Sequence, residues 1–208
     1  MTVNTFFIDA TAVPRTYYEG FSDINTDEKI HQHYFTAPSE SGLVAGVSAS
    51  VMFTVDKPAR DVWPIISDFN IWQREFDHVY SGVLAQLEGK TFSLGIKRAP
   101  TDPPRPHYYE MVKVIPEHLL VINQPVPKDG TTAGFPGIPG VSPGFHIFML
   151  NEHGDQTTIS IYMEHAACAG TSDVQQAIEP WKKLVPEWQR KWREDFIRAL
   201  KKSIREGR

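Results

Sequence analysis

The stretch that decides the fold is SVMFTVDKPARDVWPIISDFNIWQ, residues 50–73. It continues an alternation that begins at Val44 and ends at Val55, with Val, Ala and Phe on one face and Ser, Met and Thr on the other. Such alternation is typical of a strand that buries one face. Asp56-Lys57-Pro58 then ends the strand, and Pro58 suits the start of a helix because its missing N–H would lack a partner there.

One apolar stripe at helical spacing comes next: Ala59, Val62, Trp63, Ile66 and Phe69. Pro64 lies inside this stripe and either bends or shortens the helix. Ser67-Asp68 and Asn70 then predict a break. A second short helix is predicted after the break, carrying Ile71, Trp72 and Phe76.

Three strand pairs are predicted downstream, each joined at a turn. They are residues 78–87 with 91–98, 107–115 with 118–124, and 145–152 with 157–166. Four prolines mark residues 100–106 as a loop, and five prolines and five glycines mark residues 125–144 as a long one. A turn centred on His153-Gly154-Asp155 places six apolar residues on one face, together with His165: Phe145, Ile147, Met149, Ile159, Ile161 and Met163.

The C-terminal segment carries an apolar residue at every third or fourth position from Val174 to Ile204. This predicts an amphipathic helix with Ser172 as its N-cap and with three tryptophans on one stripe, Trp181, Trp188 and Trp192. Pro180 and Pro186 predict that its first part is short or kinked.

Charge is unevenly distributed along the chain. Residues 182–208 hold ten Lys/Arg against four Asp/Glu, and the rest of the chain holds eleven against twenty-one, for a net charge of −4. We interpret the basic segment as the solvated faces of the terminal helix, so the charge predicts no nucleic-acid partner. A protein-interaction role for these basic faces is a weaker alternative.

Composition indicates one globular domain, since 41% of the 208 residues are hydrophobic and 12% aromatic. The lone Cys168 excludes an intramolecular disulfide and a cysteine-rich metal site. It is either a nucleophile or a small buried filler. No signal-peptide pattern and no apolar run of about 20 residues occurs, which predicts a cytoplasmic protein without a membrane span.

The order of elements is strand, short helices, antiparallel strands and one long helix, which predicts an α+β architecture. Residues 50–73, with Pro-x-x-x-Val-Trp and Asp-Phe-x-x-Trp, and residues 108–124, YYEMVKVIPEHLLVINQ, resemble the START-like superfamily. That superfamily includes the polyketide cyclase/dehydrase and pollen-allergen groups. The resemblance covers residues 44–206. It implies the helix-grip fold: a curved antiparallel sheet wrapped around the long C-terminal helix, with two short helices after the first strand.

Two segments are then expected, an aromatic-rich arm (residues 1–43) packed on the domain and a START-like ligand-binding domain (residues 44–208). The resemblance also implies an apolar cavity between sheet and helix, with residues 125–144 as a candidate lid. His31 and His33 form either a surface pair or half of a metal site, but no nearby residues complete a ligand set. We therefore expect no metal. No Gly-x-Gly-x-x-Gly, phosphate loop or Gly-x-Ser-x-Gly occurs, so no cofactor is expected either.

Candidate catalytic residues are those whose side chains would face the cavity and exchange protons, namely Tyr108, Glu110 and His165. Glu110 faces either the cavity or water; Lys113 on the alternate face favours the cavity. Trp72 and Phe76 either border the cavity or pack in the core. The remaining expected ligand-binding residues are apolar or aromatic: Phe145, Ile147, Met149, Ile161, Met163, Trp188 and Trp192.

Two functions remain open at this point. One is a cofactor-independent enzyme, of cyclase, lyase or dehydratase type, that acts on an aromatic or apolar small molecule. The other is a carrier of a hydrophobic ligand without chemistry. Fold alone does not choose between them.

Overall fold

The computed structural model describes the backbone of residues 4–7, 29–67, 76–78, 88–89, 91–96, 105–124, 138 and 144–205. Side chains are described for residues 30–67, 88–89, 109–124, 138 and 144–202.

The described residues form strands and helices in a simple order along the chain. They are β1 (Asn4–Phe7), β2 (Lys29–Ser39), β3 (Gly42–Val55), α1 (Ala59–Ile66), β4 (Phe76–His78), β5 (Thr91–Ile96), β6 (Arg105–Ile115), β7 (Leu119–Gln124), β8 (Gly144–His153), β9 (Gln156–Cys168) and α2 (Val174–Arg205). The strands make one antiparallel sheet in the order β1-β2-β3-β9-β8-β7-β6-β5-β4.

Strand β2 is a correction to the sequence analysis, which assigned residues 1–43 to an aromatic-rich arm and predicted no strand there. It pairs with β3 along its whole length, from Lys29 opposite Met52 to Ser39 opposite Gly42. Gln32, a polar residue, stands at an inward-facing position, and this concealed the alternation. The expected boundary between residues 43 and 44 falls inside this hairpin, and the arrangement of a separate arm stays a prediction.

Helix α1 forms where the sequence predicts it, but the predicted second helix after it is not confirmed. The Glu152 carboxylate accepts a 2.5 Å hydrogen bond from the Ala59 N–H, which occupies one of the open donors of the first turn. Pro58 is the N-cap residue and Pro64 lies within the helix. Phe76 begins β4, so its assignment to a second helix is wrong. Trp72 and the rest of that predicted helix lie outside the described residues.

The β6–β7 hairpin contains a bulge that changes which side chains face inward. Met111 is opposite Ile122 but Lys113 is opposite Val121, so Val112 is an extra residue. Tyr109, Met111 and, beyond the bulge, Val114 are therefore buried. The expectation that Glu110 lies on the inward face is wrong, because strict alternation does not hold across a bulge.

The β8–β9 hairpin has a two-residue turn, since His153 is opposite Gln156 and Gly154 has φ +64°. The predicted turn was one residue longer, and such a shift moves every side chain of one strand to the other face. Accordingly His146, Phe148 and Leu150 face the core. Phe145, Ile147 and Met149 lie on the opposite face from Ile159, Ile161 and Met163, which corrects the prediction.

Helix α2 runs without a break through Pro180 and Pro186, for about 48 Å at 1.5 Å per residue. Of the two alternatives, a short first part is wrong, and a kink at the prolines stays a prediction. Burial of neighbouring residues such as Trp181 and Val185 stabilises the helix there. Its N-cap is Asp173 rather than Ser172, since Asp173 Oδ1 accepts a 2.9 Å bond from the Gln176 N–H.

Basic residues on α2 pair with acidic residues of the same helix, as expected for solvated faces. Lys183 pairs with Glu179, Lys191 with Glu187 and Arg190 with Glu194, at 3.5, 3.7 and 2.7 Å. Within the described part of the chain, no helix is long and apolar enough to cross a membrane. One face of the sheet packs against α2, which confirms the predicted α+β architecture.

Candidate functional site

The core between sheet and helix is divided into two apolar clusters. The first includes Phe53, Phe148 and Phe196, and the second includes Val47, Trp181 and the buried Ile138. Trp188 contacts both clusters. Buried polar side chains, among them His146, His165 and Gln189, belong to neither cluster. Because burying polar groups in a core is unfavourable unless they are paired, such residues are candidates for function.

Two of these buried polar residues are histidines that contact each other. His146 of β8 is 6% exposed and His165 of β9 is 1% exposed. Their Nε2 atoms are 3.0 Å apart, within hydrogen-bond distance. One Nε2 must therefore carry a proton and donate it, while the other accepts with its lone pair. Consequently the pair holds at most one positive charge while this bond exists.

Tryptophans of α2 cover His146. The Trp192 ring centroid is 5.0 Å from that of His146, and the Trp188 ring is stacked on His146 at 6.0 Å. Phe148 stacks on the far end of this group, 5.4 Å from Trp192 with an interplanar angle of 11°. The predicted ligand-binding residues Trp188 and Trp192 therefore contact His146, the hydrogen-bond partner of the predicted catalytic residue His165. Indole faces also favour a neighbouring cation.

A row of inward-facing residues crosses the sheet through His165. Tyr34 is opposite Val47, Val47 is opposite His165, His165 is opposite Gly144, and Gly144 is opposite Gln124. Gln124 is 2% exposed. Since Gly144 has no side chain, the His165 imidazole lies over its backbone, 2.2 Å from where a Cβ would be.

The row continues to Tyr109, which the β6–β7 register places beside Gln124. Burial raises the pKa of Tyr109, and burial also raises the pKa of Tyr34 to about 12. Both phenols are therefore neutral near pH 7 and can donate a hydrogen bond.

Gln189 attaches α2 to the β2–β3 hairpin. Its Nε2 donates to the carbonyl oxygens of His31 and Ser50, at 3.0 and 2.7 Å. Its Oε1 accepts a 2.7 Å bond from Gln32 Nε2, and the Tyr34 hydroxyl donates to Gln32 Oε1. Because Gln189 directly follows Trp188 in sequence and Trp192 lies three residues on, this network sets where Trp188 and Trp192 meet His146.

The expected grouping of Tyr108, Glu110 and His165 is not formed, which is a correction. Glu110 is opposite Asn123, Asn123 is opposite Phe145, and Phe145 is opposite Glu164, all on the face that turns away from α2. His165 follows Glu164 in β9 and points to the other face. Asn123 Nδ2 donates to Glu110 Oε2 at 3.2 Å. Tyr108 is opposite Ser93, and its side chain lies outside the described residues.

The outward face has its own polar cluster. Ser48 and Tyr162 hydroxyls both donate to Glu164 Oε2, at 3.2 and 3.0 Å. Burial, together with the hydrogen bond and charge of Glu164, raises the pKa of Tyr162. Phe145, predicted to bind ligand on the inner face, packs instead near Tyr162, with ring centroids 5.7 Å apart. Ile147 and Met149 share this outward face, whereas Ile161 and Met163 are buried inside.

Three other predictions concern Cys168, a metal site and a lid. Cys168 is exposed, so it is not a buried filler. Among the residues that the structure describes, no group of three or more His, Cys, Asp or Glu could hold a metal ion, and His31 and His33 are no exception. The proposed lid, residues 125–144, lies outside the described residues except for Ile138 and Gly144.

Sequence reasoning missed His146, Gln124, Tyr109 and Gln189. A three-residue β8–β9 turn would put His146 on the outer face, and strict alternation without the bulge does not show that Tyr109 faces inward. Gln189 offered one signal, since it lies beside the tryptophan stripe at a position that faces the sheet. Gln124 offered none, because a polar residue at a strand end is ordinarily a turn residue.

Comparisons with known proteins concern architecture. No protein-family model and no curated protein matches the chain. A solved protein of Mesorhizobium loti is similar at 13% identity, with a TM-score of 0.49 over 75% of this chain and 98% of the other. Truncated norcoclaurine synthase of Thalictrum flavum is similar at 14% identity and a TM-score of 0.46, over 88% and 98% of the two chains. CalU16 of Micromonospora echinospora is similar at 18% identity and a TM-score of 0.38, over 83% and 92%.

The sheet order and the helix packed on one sheet face decide the architecture. This is the helix-grip fold. Within the helix-grip fold, the histidine pair lies in the layer between the gripping sheet and the gripped helix. The predicted resemblance is thus confirmed for the fold.

Proposed function

We propose that this chain binds a small aromatic or apolar molecule beside the His146–His165 pair and exchanges a proton with it. The observation that carries the proposal is the 3.0 Å contact between the two buried Nε2 atoms. Imidazole is the side chain most often used in general acid–base catalysis, because it can both give and take a proton.

The proton inventory of the pair supports this role. In the neutral pair, one imidazole donates its Nε2–H to the other, so its own Nδ1 carries no proton. The partner keeps its proton on Nδ1 and its lone pair in the shared bond. The pair thus alternates between zero and one positive charge. Cyclase, lyase and dehydratase reactions need such a group to remove a proton from carbon or to protonate a leaving oxygen.

The tryptophans support the choice of an aromatic or apolar ligand. Trp188 and Trp192 contact His146, and Phe148 extends the same aromatic surface. Flat rings stack favourably on such surfaces, with about 0.5–1.5 kcal/mol per pair beyond burial of area. A flat ligand beside these rings would lie within reach of the imidazoles.

Base-catalysed opening of nitrobenzisoxazole tests the proton exchange. The base removes the ring C–H proton, the N–O bond breaks, and a coloured cyanophenolate forms. We expect turnover above the buffer rate, and a loss of about tenfold or more in His146→Gln and His165→Gln. His118→Gln, a change at an exposed histidine, is the matched control. If both variants melt as the parent does and keep its rate, the acid–base assignment is wrong.

A carrier function is the second candidate, and the aromatic surface of Trp188, Trp192 and Phe148 favours it. Native mass spectrometry of the purified protein separates the two functions. A carrier would retain a co-purified ligand that Trp192→Ala releases, and the histidine substitutions would leave binding and any turnover unchanged.

A further inference from the structure

The face of the sheet that turns away from α2 carries an exposed apolar patch. Across the side chains that the structure describes, three large hydrophobic residues are exposed, Val112 at 48%, Ile115 at 41% and Met149 at 38%. All three lie on this outward face. Ile115 is opposite Leu119 and Leu119 is opposite Met149, so these residues form one row across β6, β7 and β8. Single exposed apolar residues are ordinary, but a contiguous group on one face indicates a binding surface.

A second row extends the patch. Lys113 is opposite Val121, and Val121 is opposite Ile147, and both apolar residues are only partly buried. Val112 stands beside this row because it is the extra residue of the β6 bulge. The outer patch therefore consists of six residues from three adjacent strands: Val112, Ile115, Leu119, Val121, Ile147 and Met149.

The dimensions of the outer patch suit a helix. Three strands measure about 10 Å from the first axis to the third, and three residues along a strand cover about 10 Å. Apolar side chains at i, i+4 and i+7 of a helix also span about 10 Å, at 1.5 Å per residue. A stable dimer instead buries about 800 Å² on each partner, which is far more than the outer patch provides.

Two carboxylates border the outer patch in the neighbouring row of the sheet. Glu110 lies at the β6 end of that row and Glu164 at the β9 end. Their described hydrogen-bond partners are neutral, namely Asn123 for Glu110, and Ser48 and Tyr162 for Glu164. None of the basic side chains that the structure describes forms an ion pair with either carboxylate. This border therefore favours a partner with positive charge.

The other charges near the outer patch do not change this preference. Lys113, beside Val112, pairs with Glu88 Oε1 at 2.8 Å. Glu117 adds an exposed carboxylate at the β6–β7 turn, which is the opposite end of the patch from Glu110. Acidic residues therefore stand at both ends of the outer patch.

A second copy of this chain does not fit this charge pattern. Two outer patches facing each other would bring carboxylates together in either orientation, which is unfavourable. Helix α2 of a second copy has basic faces, but its apolar stripe is buried against its own sheet. It therefore has no apolar side chains to place on the outer patch.

We infer that the outer patch is a docking site for an amphipathic helix of another protein, with apolar residues at i, i+4 and i+7 and with Lys or Arg on both flanks. The apolar residues would cover Val112, Ile115 and Met149. The flanking cations would pair with Glu110 and Glu164. This inference concerns the face opposite to the histidine pair and is independent of the proposed function.

Three helical peptides of about 18 residues, each stapled to hold the helix, test the inference by fluorescence anisotropy. The first has leucine at i, i+4, i+7 and i+11 and lysine on both flanks. The second has glutamate in place of the lysines, and the third has the composition of the first with its leucines spread around the helix. We expect the first peptide to bind at least about tenfold more tightly than either of the others.

Variants assign the binding to the outer patch. Met149→Gln combined with Val112→Gln should weaken binding of the lysine peptide by about tenfold or more, because both residues lose apolar contact. Glu110→Gln should reduce the preference for lysine over glutamate flanks. Glu40→Gln, a change at an exposed carboxylate of the β2–β3 turn, is the matched control and should leave both unchanged. Melting temperatures check that each variant is folded as the parent is.

Several outcomes would overturn the inference. They are absence of binding by the lysine peptide, equal affinity for the three peptides, and unchanged affinity in the folded Met149→Gln/Val112→Gln variant. A dimer in sedimentation experiments that this variant dissociates would assign the outer patch to a second copy. Binding to phosphatidylcholine vesicles that the same variant abolishes would assign it to a membrane surface.

Discussion

A Cβ atom on Gly144 would lie 2.2 Å from Nδ1 of His165, although 21 positions separate the two residues along the chain. The same Cβ would be 2.3 Å from the carbonyl oxygen of Glu164. The His165 imidazole therefore packs directly against the backbone of β8. The absence of a side chain at residue 144 keeps Nε2 of His165 within reach of His146.

Gly144→Ala should therefore disturb the histidine pair. We expect a loss of about 2–4 kcal/mol in the free energy of unfolding, because neither a backbone carbonyl nor a packed ring yields easily. Gly154→Ala is the contrasting variant: nothing lies within 4 Å of its Cβ, and only its positive φ opposes alanine. The imidazole NMR signals of His146 and His165 should shift in Gly144→Ala and stay unchanged in Gly154→Ala. Unchanged signals in both variants would contradict the placement of His165.

Gln189→Leu should destabilise the fold by about 2–4 kcal/mol. The change keeps the volume but leaves the carbonyls of His31 and Ser50 and the amide of Gln32 without this partner. Chemical denaturation measures the loss. Gln175→Leu, an exposed position on the same helix, should change stability by less than about 0.5 kcal/mol. Similar effects of the two changes would mean that the amide network contributes little.

At the N-terminus of α2, mutation can decide whether Asp173 or its neighbour Ser172 is the N-cap. Asp173→Ala should cost about 1 kcal/mol, because it removes the acceptor of the Gln176 N–H. Ser172→Ala should have little effect, since this side chain is exposed and does not cap the helix. Thermal unfolding of both variants measures the difference. The reverse order of effects would restore Ser172 as the cap.

Alkaline pH should weaken the fold partly through Tyr34. Because burial raises the pKa of Tyr34 from 10.0 to about 12, its contribution is complete below pH 10 and is lost as pH rises from 10 to 12. Tyr34→Phe should lower stability at pH 8, where the bond to Gln32 is lost. Melting temperatures followed by circular dichroism should then fall less between pH 10 and 12 than in the parent. An identical fall would show that Tyr34 does not ionise there.

Much of the fold was predictable from local pattern. Alternation defined β3, the prolines and glycines marked the turns, and the 3.6-residue period defined α2 even though Pro180 and Pro186 lie within it. These features depend on neighbours within a few residues, where steric limits and burial of one face act directly. The helical period put Trp188 and Trp192 on one stripe of α2 for the same reason.

The site itself was mostly not predictable, and two local irregularities explain why. Gly154-Asp155 makes a two-residue turn rather than a three-residue one, which turns His146 inward and Phe145 outward. The extra residue at Val112 likewise turns Tyr109 inward and Glu110 outward. Each of these irregularities shifts the alternation of side chains by one residue. This alternation decides which face of the sheet every residue farther along the strand points to.

By itself, the sequence 50–73 determined a strand that leads into an amphipathic helix, and the terminal stripe determined a long helix with one aromatic face. Only the tertiary structure decided which polar residues meet between them. Register across three strands brought His165, Gly144 and Gln124 into one row, and the β8–β9 register brought Nε2 of His146 to 3.0 Å from Nε2 of His165. Strand pairing of this kind depends on many weak contacts between segments that are far apart in the sequence. No single segment therefore encodes it.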